Sequence, residues 1–179
     1  MNRRTLLAAA GLYAAGSAAQ AQAADDDHPV APSLSFVFRA EVSLGPPLEF
    51  GVTDGVKSRL IPITGGVVRG PRFEGVVLPG GGDWQAVQPD GATLIHARYT
   101  FQAKDGALVG VDNPGVRRGP PDVLRRLAAG EAVDPASYYF RTSPTFTASG
   151  PYGWLTRSLF VCKGERRKAQ AVIDFFEAS

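Results

Sequence analysis

The sequence predicts an all-β protein, mainly antiparallel, whose strands form a single closed or nearly closed barrel with one short helix. Three observations lead there. First, 21 glycines and 14 prolines interrupt short apolar runs at close spacing, the pattern of many strands joined by tight turns. Second, residues 94–101 alternate: Ile95, Ala97, Tyr99 and Phe101 fall on one side, Leu94, His96, Arg98 and Thr100 on the other. In a strand these sets face opposite sides of the sheet, so the first packs and the second carries polar groups. Third, a single segment has helical punctuation. Pro120-Pro121-Asp122 opens it, Val123, Leu124, Leu127 and Ala128 form an apolar stripe, and Gly130 closes it.

Taken in order, the elements begin with a leader. Asn2-Arg3-Arg4-Thr5-Leu6-Leu7 sets two arginines ahead of an alanine-rich run too short to anchor in a bilayer. Ala19-Gln20-Ala21-Gln22-Ala23 supplies the small-residue cleavage pattern, and Asp25-Asp26-Asp27 follows. Residues 1–23 therefore read as a twin-arginine signal peptide cleaved near Ala23, which places the mature chain in the periplasm without membrane insertion. An ordinary secretory signal and an uncleaved anchor are the alternatives. Residues 24–32 form a flexible, polar tail, and residues 33–179 form the barrel domain. Strands are expected at 34–44, 57–63, 67–69, 72–78, 84–87, 92–102, 107–111, 140–146, 155–163 and 171–177. Asp112-Asn113-Pro114-Gly115 reads as a turn, and so do Gly65-Gly66 and Gly80-Gly81-Gly82 unless they form bulges.

Composition excludes several chemistries. Cleavage removes Arg3 and Arg4, so the 19 Lys and Arg of the full chain become 17 against 17 Asp and Glu. The mature protein is near neutral, with no basic face for a nucleic acid. The one basic cluster, Lys163, Arg166, Arg167 and Lys168 around Gly164, reads as a solvated hairpin tip. With one cysteine, Cys162, no internal disulfide can form; a packed thiol is the main reading and a disulfide-linked dimer the lesser one. His28 and His96 are the only histidines, so no metal site is expected. Neither a G-x-S-x-G elbow nor a phosphate-binding glycine loop is present, and no cofactor is implied.

What remains is a set of aromatic and arginine residues with one acid. Asp83 and His96 are the candidates for moving a proton. Trp84, Arg98, Tyr99, Arg141, Trp154 and Thr156 are the candidates for lining a ligand site, with Arg98 or Arg141 pairing with an anionic group. If the sheet closes, these groups could line a lumen for a small aromatic or carboxylate-bearing molecule. Each also has a plainer role: a surface pair for His96 and Arg98, packing for the tryptophans, a turn contact for Asp83, carbonyl ties for Arg141.

The runs Ile61-Pro62-Ile63-Thr64-Gly65-Gly66, Gly70-Pro71-Arg72 and Gly75-Val76-Val77-Leu78-Pro79-Gly80-Gly81-Gly82-Asp83-Trp84-Gln85 carry a family resemblance. Ala97-Arg98-Tyr99-Thr100, Asp105-Gly106-Ala107, Tyr139-Phe140-Arg141-Thr142-Ser143-Pro144 with Phe146, and Tyr152-Gly153-Trp154-Leu155 continue it. Together they resemble the bacterial and fungal family known as domain of unknown function 3237, or uncharacterised protein family 0311. The resemblance spans nearly all of 34–177. It implies a compact antiparallel barrel and, for most members, no assigned activity and no leader. The family pattern has an acid where His96 stands and Asn where Thr156 stands. Three functions follow as expectations: a periplasmic barrel binding a small molecule, a cofactor-free lyase, isomerase or cyclase, or a protein-interaction module.

Overall fold

The computed structural model describes residues 30–179, so the expected signal peptide and most of the tail lie outside the described residues. Eleven strands follow: β1 (Leu34–Leu44), β2 (Leu48–Thr53), β3 (Val56–Arg69), β4 (Gly75–Val77), β5 (Gly81–Val87), β6 (Thr93–Ala103), β7 (Leu108–Arg118), β8 (Tyr139–Thr142), β9 (Thr145–Thr147), β10 (Phe160–Arg166) and β11 (Gln170–Ala178). The helix α1 (Pro121–Ala128) and 3₁₀ turns at Pro135–Ser137 and Gly150–Thr156 complete the described residues.

Antiparallel pairing runs β1-β3-β5-β6-β7-β8-β10-β11 and back to β1, which closes an eight-stranded barrel. Closure removes the unpaired edges an open sheet would leave. Two staves are composite. β4 and β5 both lie between β3 and β6, interrupted at Pro79-Gly80, and β8 and β9 both pair with β7, interrupted at Ser143-Pro144. β2 pairs with β3 alone and projects as an arm.

The structure moves several expected boundaries. β2 has no counterpart among the expected strands, because all six of its residues are exposed and no buried face marks it. Residues 57–63 and 67–69 belong to one strand. Gly65 and Gly66 sit inside it at φ 142° and 150°, beside a register shift against β1. A Cβ on Gly66 would meet the Glu41 carbonyl at 2.3 Å, so close strand approach explains the glycine. The expected strand at 72–78 is only Gly75–Val77, while Gly81 and Gly82 are strand rather than turn. Asp112-Asn113-Pro114-Gly115 is the middle of β7. Proline is tolerated there because its nitrogen faces the gap where β7 passes from β9 to β8, a gap in which Ser143 N–H donates to the Pro114 carbonyl. Residues 155–159 belong to the 3₁₀ turn and its exit, not to β10.

The helix begins with proline and Asp122 in its first turn, and Val123 and Leu127 are its buried residues. Gly130, at φ 76°, closes it by donating to Leu127.

Small eight-stranded barrels have interiors just wide enough for side chains, and this one differs from end to end. One half is filled by phenylalanines. Phe38 stacks on Phe175 with ring centroids 4.4 Å apart, and Phe73, Phe101, Phe146 and Phe160 pack around them. The other half is polar, and α1 follows the β7 residues that line it.

Candidate active site

The polar half takes its polar groups from inward positions of five strands and its aliphatic wall from three more. β5 contributes Asp83 and Gln85, β6 Tyr99, β7 Asn113 and Arg117, β8 Thr142, and β10 Arg166, while β1, β3 and β11 add aliphatic wall. Strand alternation puts them there. Asp83 pairs with Ala97 and Tyr99 with Val111, and all four point inward with Ile95 and Phe101. The cavity they enclose is about 40 Å³, room for a functional group rather than a whole molecule. Outside it, beneath α1, lies a larger hollow of about 380 Å³ lined by Lys57, Arg59, Thr93, Arg117, Leu124 and Arg125 among others. Arg117 lines both spaces, so the hollow reads as the mouth of the cavity.

A hydrogen-bonded chain crosses the cavity rim. Arg59 Nε donates to Gln85 Oε1 at 2.9 Å, Gln85 Nε2 donates to Asp83 Oδ2, and the His96 backbone N–H donates to Asp83 Oδ1 at 3.2 Å. Deeper in, Asn113 Nδ2 donates to Tyr99 Oη at 3.3 Å. Burial pushes the Asp83 carboxyl above the usual carboxylate range. The bonds from Gln85 and the His96 N–H, and the charges of Arg117 and Arg59, oppose that rise. Burial likewise raises the Tyr99 phenol, which stays protonated as a neutral donor. The Arg117 guanidinium is pulled down to about 10, first by burial and then by the neighbouring charges of Arg59 and Arg166. Asn113 Oδ1, Arg117 Nε and Thr142 Oγ1 are buried without a hydrogen-bond partner among the described residues. A carboxyl and a phenol, both biased toward their protonated forms, can exchange protons with a bound group.

The residues expected to share this site are only partly brought together. Asp83 and Tyr99 line the cavity. His96, Trp84 and Arg98 face outward: Trp84 is 47% exposed, His96 Nε2 lies 2.7 Å from Asp112 Oδ1, and Arg98 Nε lies 3.0 Å from Asp112 Oδ2. Trp84 and Arg98 border an open groove of about 590 Å³ on the outer wall, not the lumen. Arg141 also lies on the outer wall, bonded to the Phe140 carbonyl and placed over the Tyr139 ring. Trp154 and Thr156 belong to the 3₁₀ turn, where Arg72 stacks on the indole and Thr156 bonds back to the Gly153 carbonyl. The lumen-lining expectation for these six is corrected, because the pleat alternates their side chains away from the interior or places them on a separate turn. Gln85, Asn113, Arg117, Thr142 and Arg166 were missed. The Asx-Pro-Gly run hid Asn113, and with it the alternation that puts Asn113 and Arg117 on one face. Arg166 reads from sequence as part of a solvated hairpin tip, whereas it ends β10 paired with Ala171 of β11, its guanidinium bonds the Gln170 carbonyl at 2.9 Å, and it lines the cavity.

Comparison with known proteins adds the family. The model of a family described as protein of unknown function, DUF3237, matches residues 32–178. The chain belongs to this family. A UPF0311 protein of Clostridium acetobutylicum is 41% identical over 145 residues, covering 80% of this chain and 92% of that one. A crystal structure of a conserved protein of unknown function from Rhodopseudomonas palustris superposes with a TM-score of 0.80 at 38% identity, covering 85% of this chain and all of the other. A hydroalkoxylation enzyme of Penicillium herquei is 35% identical over 97 residues, 54% of this chain and 64% of that one. The side chains of His96 and Thr156 both lie outside the cavity lining.

Proposed function

We propose that this family member is an exported, cofactor-free acid–base enzyme of the lyase, isomerase or cyclase kind, acting on a small molecule whose reacting end enters the polar half of the barrel. The observation that carries this is Asp83, a carboxyl held inside the barrel with its proton affinity raised, beside a protonated phenol and unpartnered polar atoms. Asp83 supplies or accepts the proton, and Tyr99 and Asn113 orient the group that gains or loses charge. The hydroalkoxylation named for the Penicillium herquei relative supports the class. An alcohol oxygen adds to one carbon of a double bond, its proton is passed on, and a proton reaches the other carbon. Every atom is conserved, and only proton transfer is needed. Of the aromatic residues expected to line the ligand site, Tyr99 lines the cavity while Trp84 and Trp154 lie outside it, so the site is defined by its proton-handling groups.

The test is a panel of unsaturated phenols and hydroxy acids incubated with the purified protein in heavy water and followed by nuclear magnetic resonance. Ring closure or deuterium incorporation that disappears in Asp83→Asn and persists in His96→Ala is the expected result. Turnover that survives Asp83→Asn rejects the assignment. A binding-only barrel is the second reading, favoured by the three orphaned polar atoms, which a ligand could satisfy without reacting. It predicts ligand retention with no exchange in the wild-type protein.

A further inference from the structure

We propose that the polar end of the barrel contains an anion subsite, centred on Arg117 and flanked by Arg59 and Arg166, which takes the carboxylate of the substrate. The inference rests on the reading of this cavity as a small-molecule site, but not on Asp83 being catalytic. Arg117 is 8% exposed. Its contacts are a 3.4 Å bond from Nη2 to Thr93 Oγ1 and a position over the Phe140 ring at 6.0 Å, and its Nε has no partner among the described residues. None of Arg59, Arg117 and Arg166 is ion-paired with a carboxylate among the described residues. The arginines of the outer wall, by contrast, include ion pairs of Arg39 with Asp174, Arg98 with Asp112, Arg126 with Glu131 and Arg167 with Glu165. Arg117 differs from these pairs in being buried and having no carboxylate partner among the described residues.

The three guanidiniums are close enough for their charges to oppose one another, and Asp83 is the single acidic residue lining the cavity. That one carboxyl cannot offset three guanidiniums. A buried cation without a counterion is costly unless a binding partner completes it, and a guanidinium fork matches the two oxygens of a carboxylate. The cavity has room for that head group, while the body of the molecule fits the hollow under α1. There Arg125 adds positive charge, the Lys57 ammonium is paired with Glu49 at 3.1 Å, and Asp90 is tied to its own turn by the Ala92 N–H. The substrate class is therefore a small organic acid held by its carboxylate at Arg117.

The test uses benzoate and its neutral isostere benzamide as probes, read by isothermal titration calorimetry and thermal shift at constant ionic strength. Benzoate is expected to bind and raise the melting temperature in proportion to its concentration, and benzamide to bind at least about tenfold more weakly, as loss of a charge-assisted pair implies. Arg117→Met should abolish the preference. Arg117→Lys, which keeps the charge but loses the fork, should retain part of it and covers the case in which the methionine variant does not fold. Benzoate preference is read by binding alone, so its loss in the Arg117 variants is distinguishable from the loss of turnover expected of Asp83→Asn. Equal binding of benzoate and benzamide, or undiminished benzoate preference in Arg117→Met, overturns the proposal.

Discussion

Asp83 holds its carboxyl where burial and surrounding cations act in opposite directions, and burial prevails. The groups facing it are Arg59 from β3, Tyr99 from β6, Arg117 from β7, Arg166 from β10 and the neutral Gln85 of its own strand. A carboxyl with a higher pKa in the folded than in the unfolded chain keeps its proton over a window in which the unfolded chain has lost it. Its contribution to stability is then fullest below the ordinary aspartate value of about 3.9 and falls as pH rises through the raised value. Asp83→Asn removes that dependence. Scanning calorimetry at pH 4 and pH 7 should show the melting-temperature difference moving in favour of the variant at the higher pH. Movement toward the wild type would mean that the barrel eases ionisation of Asp83 instead. Cys162 gives a second prediction at this scale. It is fully buried, and burial pushes its thiol up to about 12, so it stays protonated and shielded at neutral pH. A thiol reagent should label the native protein only at the rate at which it unfolds, and fast labelling would contradict this packing. The same burial removes the basis for a disulfide-linked dimer through Cys162.

At the scale of elements, the glycines of β3 separate two costs that are often merged. Gly66→Ala brings its Cβ within 2.3 Å of the Glu41 carbonyl at φ 150°, so it combines backbone strain with a collision between strands and should cost about 2 kcal/mol or more. Gly106→Ala, at φ 88° with nothing within 4 Å, carries strain alone and should cost about 1–2 kcal/mol. Denaturant titration of both variants measures the difference, and equal losses would show that the β1–β3 approach is not tight. These elements also show what the sequence could reveal. The alternation through β6 was legible because every inward residue from Thr93 to Ala103 is buried, and α1 was legible because its proline, acid and glycine signals agree. β2 was not legible, since strand signals depend on a buried face and it has none. The site was half legible for a related reason. Asp83 stands out as an acid behind glycines, but Asn113 lies in a Pro-Gly context whose strand conformation depends on the gap between β8 and β9, a tertiary fact no local pattern encodes.

For the whole molecule, closure of eight strands makes one body from residue 34 to residue 178, with a phenylalanine-packed half that holds the shape and a polar half that carries unpaired charge. Stability and chemistry are therefore separated along the barrel axis, and the unsatisfied groups are concentrated at the end where a ligand could complete them. Such a body fits the export route proposed for the chain. The twin-arginine pathway accepts folded cargo, and closure pairs the eight barrel strands on both sides, leaving the β2 arm as an exposed edge. Arg3 and Arg4 of the proposed leader equal the net +2 of the full sequence, so a chain cleaved as proposed is near neutral. Replacing Arg3 and Arg4 together with lysine keeps the charge of the leader but removes the pair that the folded-protein route reads. If that route is used, fractionation of cells expressing this double variant should show the uncleaved chain retained in the cytoplasm, folded and still binding benzoate, while the wild type appears in the periplasm shortened by about two dozen residues. Unchanged export of the lysine variant would assign the leader to the general secretory route, and the barrel would then have to close after crossing the membrane.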